Sequence, residues 1–416
     1  MADKFYGLLG AHLGHSFSPQ IHARLGNPDY TLRELNASEL EAFVRREDLG
    51  GVNVTIPYKQ AVLPFADACS PAVQTIGAAN TLYRRNGKLI AENTDVLGFL
   101  YMVRQSGISV AGKKVLVLGN GGASKAVVEG LRQLEAGEVL VVSRAGGDLP
   151  LLSYEDLKDH TDTDVLVNTT PVGMYPNNLE TPVDLGQFPS LSGVLDIIYN
   201  PLRTGLLLQA EALGLPYANG LSMLVAQAVR AHEFFFDTNV EDPVIDEITQ
   251  DLARAVTNLV LIGMPGSGKS SVAKLLAERT GREVLELDRA IEEAAGKPIP
   301  RIFAEDGEEV FRDIESQCIA EAGAQSGKIL SLGGGAVTKE RNYLPLHQNG
   351  RIYCLQRDLS LLATDGRPLS KDLDTLKEME AARAPLYERF ADVFVDNNGA
   401  PEDAAEQVLR DFHSAS

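Results

Sequence analysis

Short runs of valine, leucine and isoleucine recur along the chain, each closed by a glycine turn and followed by a helix-like stretch. "KKVLVLGNGG", "EVLVVSR", "TDVLVNTT" and "GVLDIIY" stand in the first half, and "TNLVLIGMPG" and "KILSLGGG" in the second. Continuous apolar strands alternating with helices mark buried parallel sheets, because a parallel pair needs a crossover and the crossover covers a sheet face. The pattern predicts α/β architecture throughout. Residues 237–256, "DTNVEDPVIDEITQDLARAV", break it: they are acidic, carry Pro243, lack a strand signal, and read as a connection that is helical in part. No repeat, low-complexity tract or heptad seam is present.

Length and composition narrow the picture. At 416 residues the chain is too long for one core, so two or three domains are expected, and 44% hydrophobic residues supply apolar surface to fill them. A net charge of -19 argues against nucleic acid or anionic membrane as partners. Any bound phosphate has to be held by local geometry. Cys69, Cys318 and Cys354 lie far apart and suggest neither a disulfide framework nor a metal cluster, and no apolar run reaches about 18 residues, so a cytoplasmic location is expected.

The sharpest motif is "GMPGSGKSS", with Gly263, Gly266, Gly268, Lys269, Ser270 and Ser271 between the strand "NLVLI" and the helix-like "SVAKLLAERTG". Glycines there let backbone N–H groups turn in around phosphates, the lysine reaches the β- and γ-phosphates, and Ser270 is a ligand for Mg²⁺, so ATP with Mg²⁺ is expected. A glycine turn that merely caps a helix is the bland alternative. "LELDRAIEE", "FAEDGEEVFRDIE", "LSLGGGAV", "DGRPLS" and "ARAPLYERFAD" follow. In that order they resemble shikimate kinase from about residue 258 to 398. The resemblance implies that Arg312 and Arg383 clamp the substrate carboxylate and that Gly333, Gly334 and Gly335 bring backbone N–H groups to it. It also implies that Asp288 holds the attacking hydroxyl and that Arg367, in a lid, neutralises the transferred phosphoryl group. One position departs: where the family has Asp-x-Asp, this chain has Glu286-Leu287-Asp288, which keeps the metal-side charge one methylene further out.

In the first half, "GNGGASKA" follows the strand "KKVLVL", placing Gly119, Gly121, Gly122 and Ala123 where a dinucleotide pyrophosphate would approach. The next strand ends in Ser143 and Arg144 rather than in an acid, which suits a 2′-phosphate and so NADP(H) over NAD. A solvated loop arginine is the alternative for Arg144. Around this unit stand "HSFSPQIH", "GGVNVTIPYKQAV", "GAANTLYRRNGKLIAENTDVLGF", "NTTPVGM", "DIIYNPLRTGLL" and "NGLSMLVAQAVRA". Together they resemble shikimate dehydrogenase, over about residues 5 to 236. By that resemblance Lys59 is the acid/base and Asp95 its partner, Ser16 and Ser18 take the substrate carboxylate, and Asn53, Thr55, Asn80, Gln227 and Tyr199 contact the substrate. Singly, Ser18 is also a turn residue, Asn80 a strand-end cap and Asp95 a helix cap. His15 and His22 lack companions at ligand spacing and read as structural.

The organisation expected is a substrate domain from residues 1–95 and 219–236, a Rossmann-like NADP domain over 96–218, a linker over 237–256 and a P-loop kinase domain over 257–416. The resemblances imply NADPH-dependent reduction of 3-dehydroshikimate to shikimate, then ATP-dependent phosphorylation of shikimate. Two alternatives compete with this reading. An NAD-dependent quinate enzyme fits the Ser143-Arg144 pair poorly, and a non-catalytic sensor would have lost Lys59, Asp95, Lys269 or Asp288, all of which are present.

Overall fold

The structure is a computed structural model that describes residues 4–14, 16–144, 151–362 and 373–414. The chain forms two compact units. The first comprises Met1–Met174, Glu180–Tyr199 and Gln209–Thr249, and the second Tyr175–Leu179, Asn200–Leu208 and Gln250–Ser416. The architecture is α/β with mostly parallel sheets.

The first unit holds two sheets of six strands. In one, the strands Thr31–Glu34, Phe5–Gly10 and Leu49–Val54 run parallel, and Thr81–Arg85 joins antiparallel to Leu49–Val54. Thr81–Arg85 then turns back on Lys88–Glu92 as a hairpin, and Ala68–Cys69 closes the edge. This hairpin departs from the all-parallel expectation, and the reason is local: Asn86 and Gly87 both take positive φ, 53° and 78°, the pair of conformations that a two-residue hairpin turn requires.

The other sheet is wholly parallel, in the order Tyr217–Ala218, Gly193–Asp196, Val165–Asn168, Lys114–Leu118, Glu138–Val142, Leu151–Leu152. Strand order reverses at Lys114–Leu118, the switch point at which open α/β sheets bind their ligands. The helices Thr94–Ser106 and Leu221–Phe236 pack against each other so closely that a Cβ on Gly98 would lie 2.5 Å from the Met223 carbonyl oxygen and 3.0 Å from the Gln227 Cβ. Glycine at 98 therefore sets the distance between two helices that both carry predicted site residues.

The second unit is a five-stranded parallel sheet in the order Val284–Glu286, Ile329–Ser331, Asn258–Ile262, Gly350–Gln356, Val393–Asp396. Its central strand alternates faces, as a strand period of two dictates. Val260 and Ile262 pack with Leu287, Ile291 and Phe311 on one side, whereas Leu259 and Leu261 pack with Val272, Leu276 and Val408 on the other. All five residues Asn258–Ile262 are buried, which explains why the run reads as uninterrupted apolar sequence.

Candidate active sites

In the first unit, Lys59 and Asp95 meet. Lys59 lies in the turn after the strand Leu49–Val54, and its Nζ donates to Asp95 Oδ2 at 2.6 Å. Asp95 sits in the first turn of the helix Thr94–Ser106 rather than at its cap, which is Asn93, so the helix N-terminus favours its negative charge. Its other oxygen accepts from Asn80 Nδ2 at 2.8 Å, and Gln227 Oε1 lies 3.5 Å from the same nitrogen. Asn80 Oδ1 accepts from the Thr94 backbone N–H at 2.7 Å, at the start of the helix Thr94–Ser106. Both side chains of the pair are mostly buried, at 22% and 15% exposure, so water screens their attraction less than at the surface.

The remaining predicted contacts fall into two groups. Asn53 is buried and linked through Thr81 to Asn80, and Thr55, two residues on, has its N–H bonded to the Leu9 carbonyl. Ser16 Oγ lies 3.2 Å from Ser18 Oγ. Phe17, between the two serines, has its ring centroid 6.0 Å from that of Tyr199. Burial raises the Tyr199 hydroxyl above the usual phenol range, so it is a neutral donor. His22 is core: fully buried, stacked on Tyr30 at 3.8 Å, and held neutral, its pKa lowered to about 3 first by burial and then by His232. His15 lies outside the described residues.

The nucleotide loop of this unit starts at Gly119, whose φ of 103° only glycine adopts readily and whose Cβ would lie 2.8 Å from Thr169 Oγ1. Gly121 and Gly122, at the start of the helix Gly122–Gln133, differ: a Cβ on either would meet nothing within 4 Å. That open space at a helix N-terminus, with Ala123 in the first turn, fits a pyrophosphate drawn against the backbone. Ser143 and Arg144 stand at the end of Glu138–Val142, with Arg144 exposed.

In the second unit, one cavity of about 550 Å³ gathers most of the predicted kinase residues. Gly263, Gly266 and Gly268 take φ of 138°, 87° and 91°, and Gly268 caps the helix Lys269–Thr280. Lys269 curls over this loop and donates to the Gly263 and Met264 carbonyls at 2.9 and 3.0 Å. Ser270 and Ser271 follow in the first turn, and Ser270 Oγ lies 3.1 Å from Glu286 Oε2. Glycine backbone, a lysine held at the loop and a hydroxyl paired with a carboxylate form a donor set that fits a nucleoside triphosphate with Mg²⁺.

Asp288 opens the helix Leu287–Ala295 and faces the same cavity. Arg312 is buried and donates to Glu315 Oε2 at 2.6 Å and Glu308 Oε1 at 3.1 Å. The run Gly333–Gly335 owes its composition to these neighbours. A Cβ on Gly335 would lie 2.3 Å from the Arg312 guanidinium, and one on Gly333 would lie 3.0 Å from Glu315 Oε1. The Gly334 carbonyl accepts from Arg383 at 2.9 Å and from the Tyr387 hydroxyl at 2.6 Å. Arg367 lies outside the described residues.

Glu315 is a cavity residue that the sequence reading passed over, although it stands three residues after Arg312 in the quoted "FRDIE" and so on the same helix face. Burial pushes its carboxyl up from the usual glutamate range, the Arg312 guanidinium pulls it back, and the charge of Asp288 adds to the rise. Its Oε1 is buried without a protein partner.

The switch-point sheet, glycine loop and Lys59–Asp95 pair define a nucleotide-dependent oxidoreductase, and the second unit a P-loop phosphotransferase. The comparisons make both classes specific. The chain belongs to the shikimate dehydrogenase family. Residues 8–82 match the family model of the shikimate dehydrogenase substrate binding domain, and residues 265–413 match that of shikimate kinase. The shikimate dehydrogenase (NADP(+)) of Caldicellulosiruptor bescii is 40% identical over 59% of this chain and 93% of its own length, and that of Clostridium perfringens is 33% identical over 60% and 98%. Among solved structures, a chorismate mutase/shikimate 5-dehydrogenase fusion protein from Clostridium acetobutylicum is 35% identical, with a TM-score of 0.58 over 61% of this chain and 98% of that one. The shikimate 5-dehydrogenase of Thermus thermophilus, solved with NADP(H) and shikimate, is 31% identical with a TM-score of 0.54 over 60% and 99%.

Proposed function

We propose that the first unit reduces 3-dehydroshikimate to shikimate with NADPH, and that the second phosphorylates shikimate with ATP and Mg²⁺ to shikimate 3-phosphate. The observation that carries this reading is the order of the two matches along one chain: a dehydrogenase first, then, over residues 265–413, a kinase whose acceptor is the product of the first reaction.

In the reduction, NADPH supplies a hydride when bound. Lys59 Nζ gives a proton to the alkoxide that develops on the former ketone oxygen, and Asp95, 2.6 Å away, holds the ammonium in place. Ser16 and Ser18 meet the substrate carboxylate as neutral donors, and Asn53, Thr55, Asn80, Gln227 and Tyr199 read its hydroxyls. Arg144, at a strand end that carries no acid, favours the 2′-phosphate of NADP(H) over NAD.

In the second reaction, ATP with Mg²⁺ supplies the phosphoryl group. Asp288 takes the proton of the attacking hydroxyl, and Arg312 and Arg383 hold the acceptor's carboxylate as guanidinium forks. Lys269 leaves the loop carbonyls for the phosphates, and Ser270 and Glu286 stand on the metal side. Unpaired Cys69, Cys318 and Cys354 suit a reducing cytoplasm.

The test is mass spectrometry on one incubation of the chain with 3-dehydroshikimate, NADPH, ATP and Mg²⁺, repeated with each nucleotide omitted. Shikimate 3-phosphate in the full mixture, and shikimate alone without ATP, is the expected result. No turnover of 3-dehydroshikimate, or shikimate accumulating unchanged beside ATP, would overturn the corresponding half.

A further inference from the structure

Behind the Lys59–Asp95 pair, four polar side chains form a line of hydrogen bonds whose direction is fixed at two points by the backbone. The Thr94 backbone N–H can only donate, so the oxygen it meets at 2.7 Å is Asn80 Oδ1 and the Asn80 nitrogen faces Asp95. The Asn80 backbone carbonyl can only accept, so the amide atom of Asn53 turned towards it, at 3.5 Å, is Nδ2. Thr81 Oγ1 stands between the two amides, donating to Asn80 Oδ1 and accepting from Asn53 Nδ2, both at 3.1 Å. The line ends at Tyr30, whose hydroxyl donates to Asn53 Oδ1 at 2.8 Å.

Tyr30 is 3% exposed and its ring stacks on His22, so its hydroxyl has one direction available. Burial pushes that hydroxyl well above the usual phenol range, which leaves it a proton donor at any working pH. Turning the Asn53 amide over would set its oxygen against the Asn80 carbonyl and strip Thr81 of its donor. A buried polar group without a partner is costlier than an ordinary hydrogen bond is stabilising, so the amide stays as drawn.

We propose that Tyr30 is a positioning residue for the dehydrogenase site: with its orientation already fixed by the Asn80 carbonyl, the Asn53 amide is held in place by the Tyr30 hydroxyl before substrate arrives. The inference rests on the reading of Asn53 as a substrate contact. Tyr30 reaches the Lys59–Asp95 pair only through Asn53 and the side chains beyond it. It pins the amide that a substrate hydroxyl meets, and preorganised amides favour binding because they need no rearrangement.

The experiment compares the full chain with Tyr30→Phe, Asn53→Ala and the double variant. Tyr30→Phe removes one oxygen and keeps the stacked ring. It is expected to raise KM for 3-dehydroshikimate about tenfold, the scale of one oriented hydrogen bond, with kcat, KM for NADPH and the kinase rate within about twofold. In the Asn53→Ala background the same change is expected to add less than about twofold, because the amide it pins is gone. An unchanged KM in Tyr30→Phe, or an equal effect in both backgrounds, overturns the proposal, the latter by showing that Tyr30 acts through packing. If Tyr30→Phe does not fold, Thr81→Val removes the amide's other anchor: a raised KM that Thr81→Ser restores supports the lock, and an unchanged KM overturns it. A wild-type chain that reduces no 3-dehydroshikimate would instead remove the dehydrogenase reading on which the proposal stands, an outcome visible before any variant is compared.

Discussion

The two pockets handle what we read as the same small acid by opposite means. In the first unit the polar side chains named for the site are mostly neutral: Ser16 with Ser18, Asn53 with Thr81, Asn80 with Thr94, around the charged pair Lys59–Asp95. In the second, charge meets charge: Arg312 on Glu315 and Glu308, with Lys269, Glu286, Asp288 and Arg383 lining the same cavity. The difference follows from the chemistry. A reduction needs one proton at one atom, and a second strong charge nearby would compete for it. Phosphoryl transfer spreads charge over several oxygens, and a field of fixed charges stabilises that spread.

The strongest test of this contrast is reciprocal. Lys59→Ala is expected to lower the dehydrogenase kcat about 10³-fold, within the usual range for losing a positioned acid, and to leave the kinase unchanged. Lys269→Ala is expected to lower the kinase kcat by about 10²–10³ and leave the reduction unchanged. Each is read by assaying both reactions on one preparation. A loss of both activities from either substitution would mean that the pockets are not chemically independent.

Next in size is the buried ion pair. Glu315→Ala leaves Arg312 buried with only the half-exposed Glu308 as counter-charge, and breaking such a pair from one side costs about 3 kcal/mol. Urea inactivation, followed separately through each activity so that the units are not averaged, should show the loss in the kinase alone. A change below about 1 kcal/mol would make the charged pocket no more demanding than the neutral one.

What spacing alone made legible depended on whether a residue's partner lay nearby in sequence; the Lys59–Asp95 pair, 36 residues apart, came from the resemblance. The phosphate loop, the glycine turn at 119–122 and the strand end at Ser143-Arg144 are local arrangements of backbone, and local arrangements are what spacing records. Glu315 was equally local, an i, i+3 neighbour of Arg312, and was missed only because carboxylates on helices are usually solvated. The Asn86-Gly87 hairpin carried its own signal and turned one strand of a predicted parallel sheet antiparallel. Tyr30 was not legible: its partner Asn53 is 23 residues away, and only the register of the strand Leu49–Val54 brings them together. Arg367 lies outside the described residues, so its place rests on the resemblance.

The neutral pocket has an acid limit of its own. His22 is buried against Tyr30, His232 and Phe235, with its pKa lowered to about 3. The unfolded chain takes up the proton near the ordinary value of about 6.5 while the folded chain refuses it, so stability is full above 6.5 and falls as pH drops from there towards 3. At pH 5 the expected loss is about 2 kcal/mol. Thermal denaturation of wild type and His22→Phe between pH 7 and pH 5 checks it: the variant's fall should be smaller, and equal falls would mean that His22 does not set the limit.

The smallest expected effect lies where this chain departs from the kinase pattern. Glu286 Oε2 lies 3.1 Å from the Ser270 hydroxyl, so little space separates the two groups that would hold Mg²⁺. Aspartate would draw the carboxylate back by about one bond, roughly 1.5 Å, and open that space. Mg²⁺ dehydrates reluctantly and keeps several waters in its octahedron, so the shorter acid should suit it better. Glu286→Asp is therefore expected to lower the Mg²⁺ concentration for half-maximal kinase rate by about two- to fivefold, with KM for shikimate unchanged. That separation matters because Asp288, two residues on, lines the same cavity and is the acid we assign to the acceptor. If Glu286→Asp moves KM for shikimate and leaves the Mg²⁺ dependence alone, the two acids do not divide metal and acceptor between them, and the charged pocket acts as one undivided field.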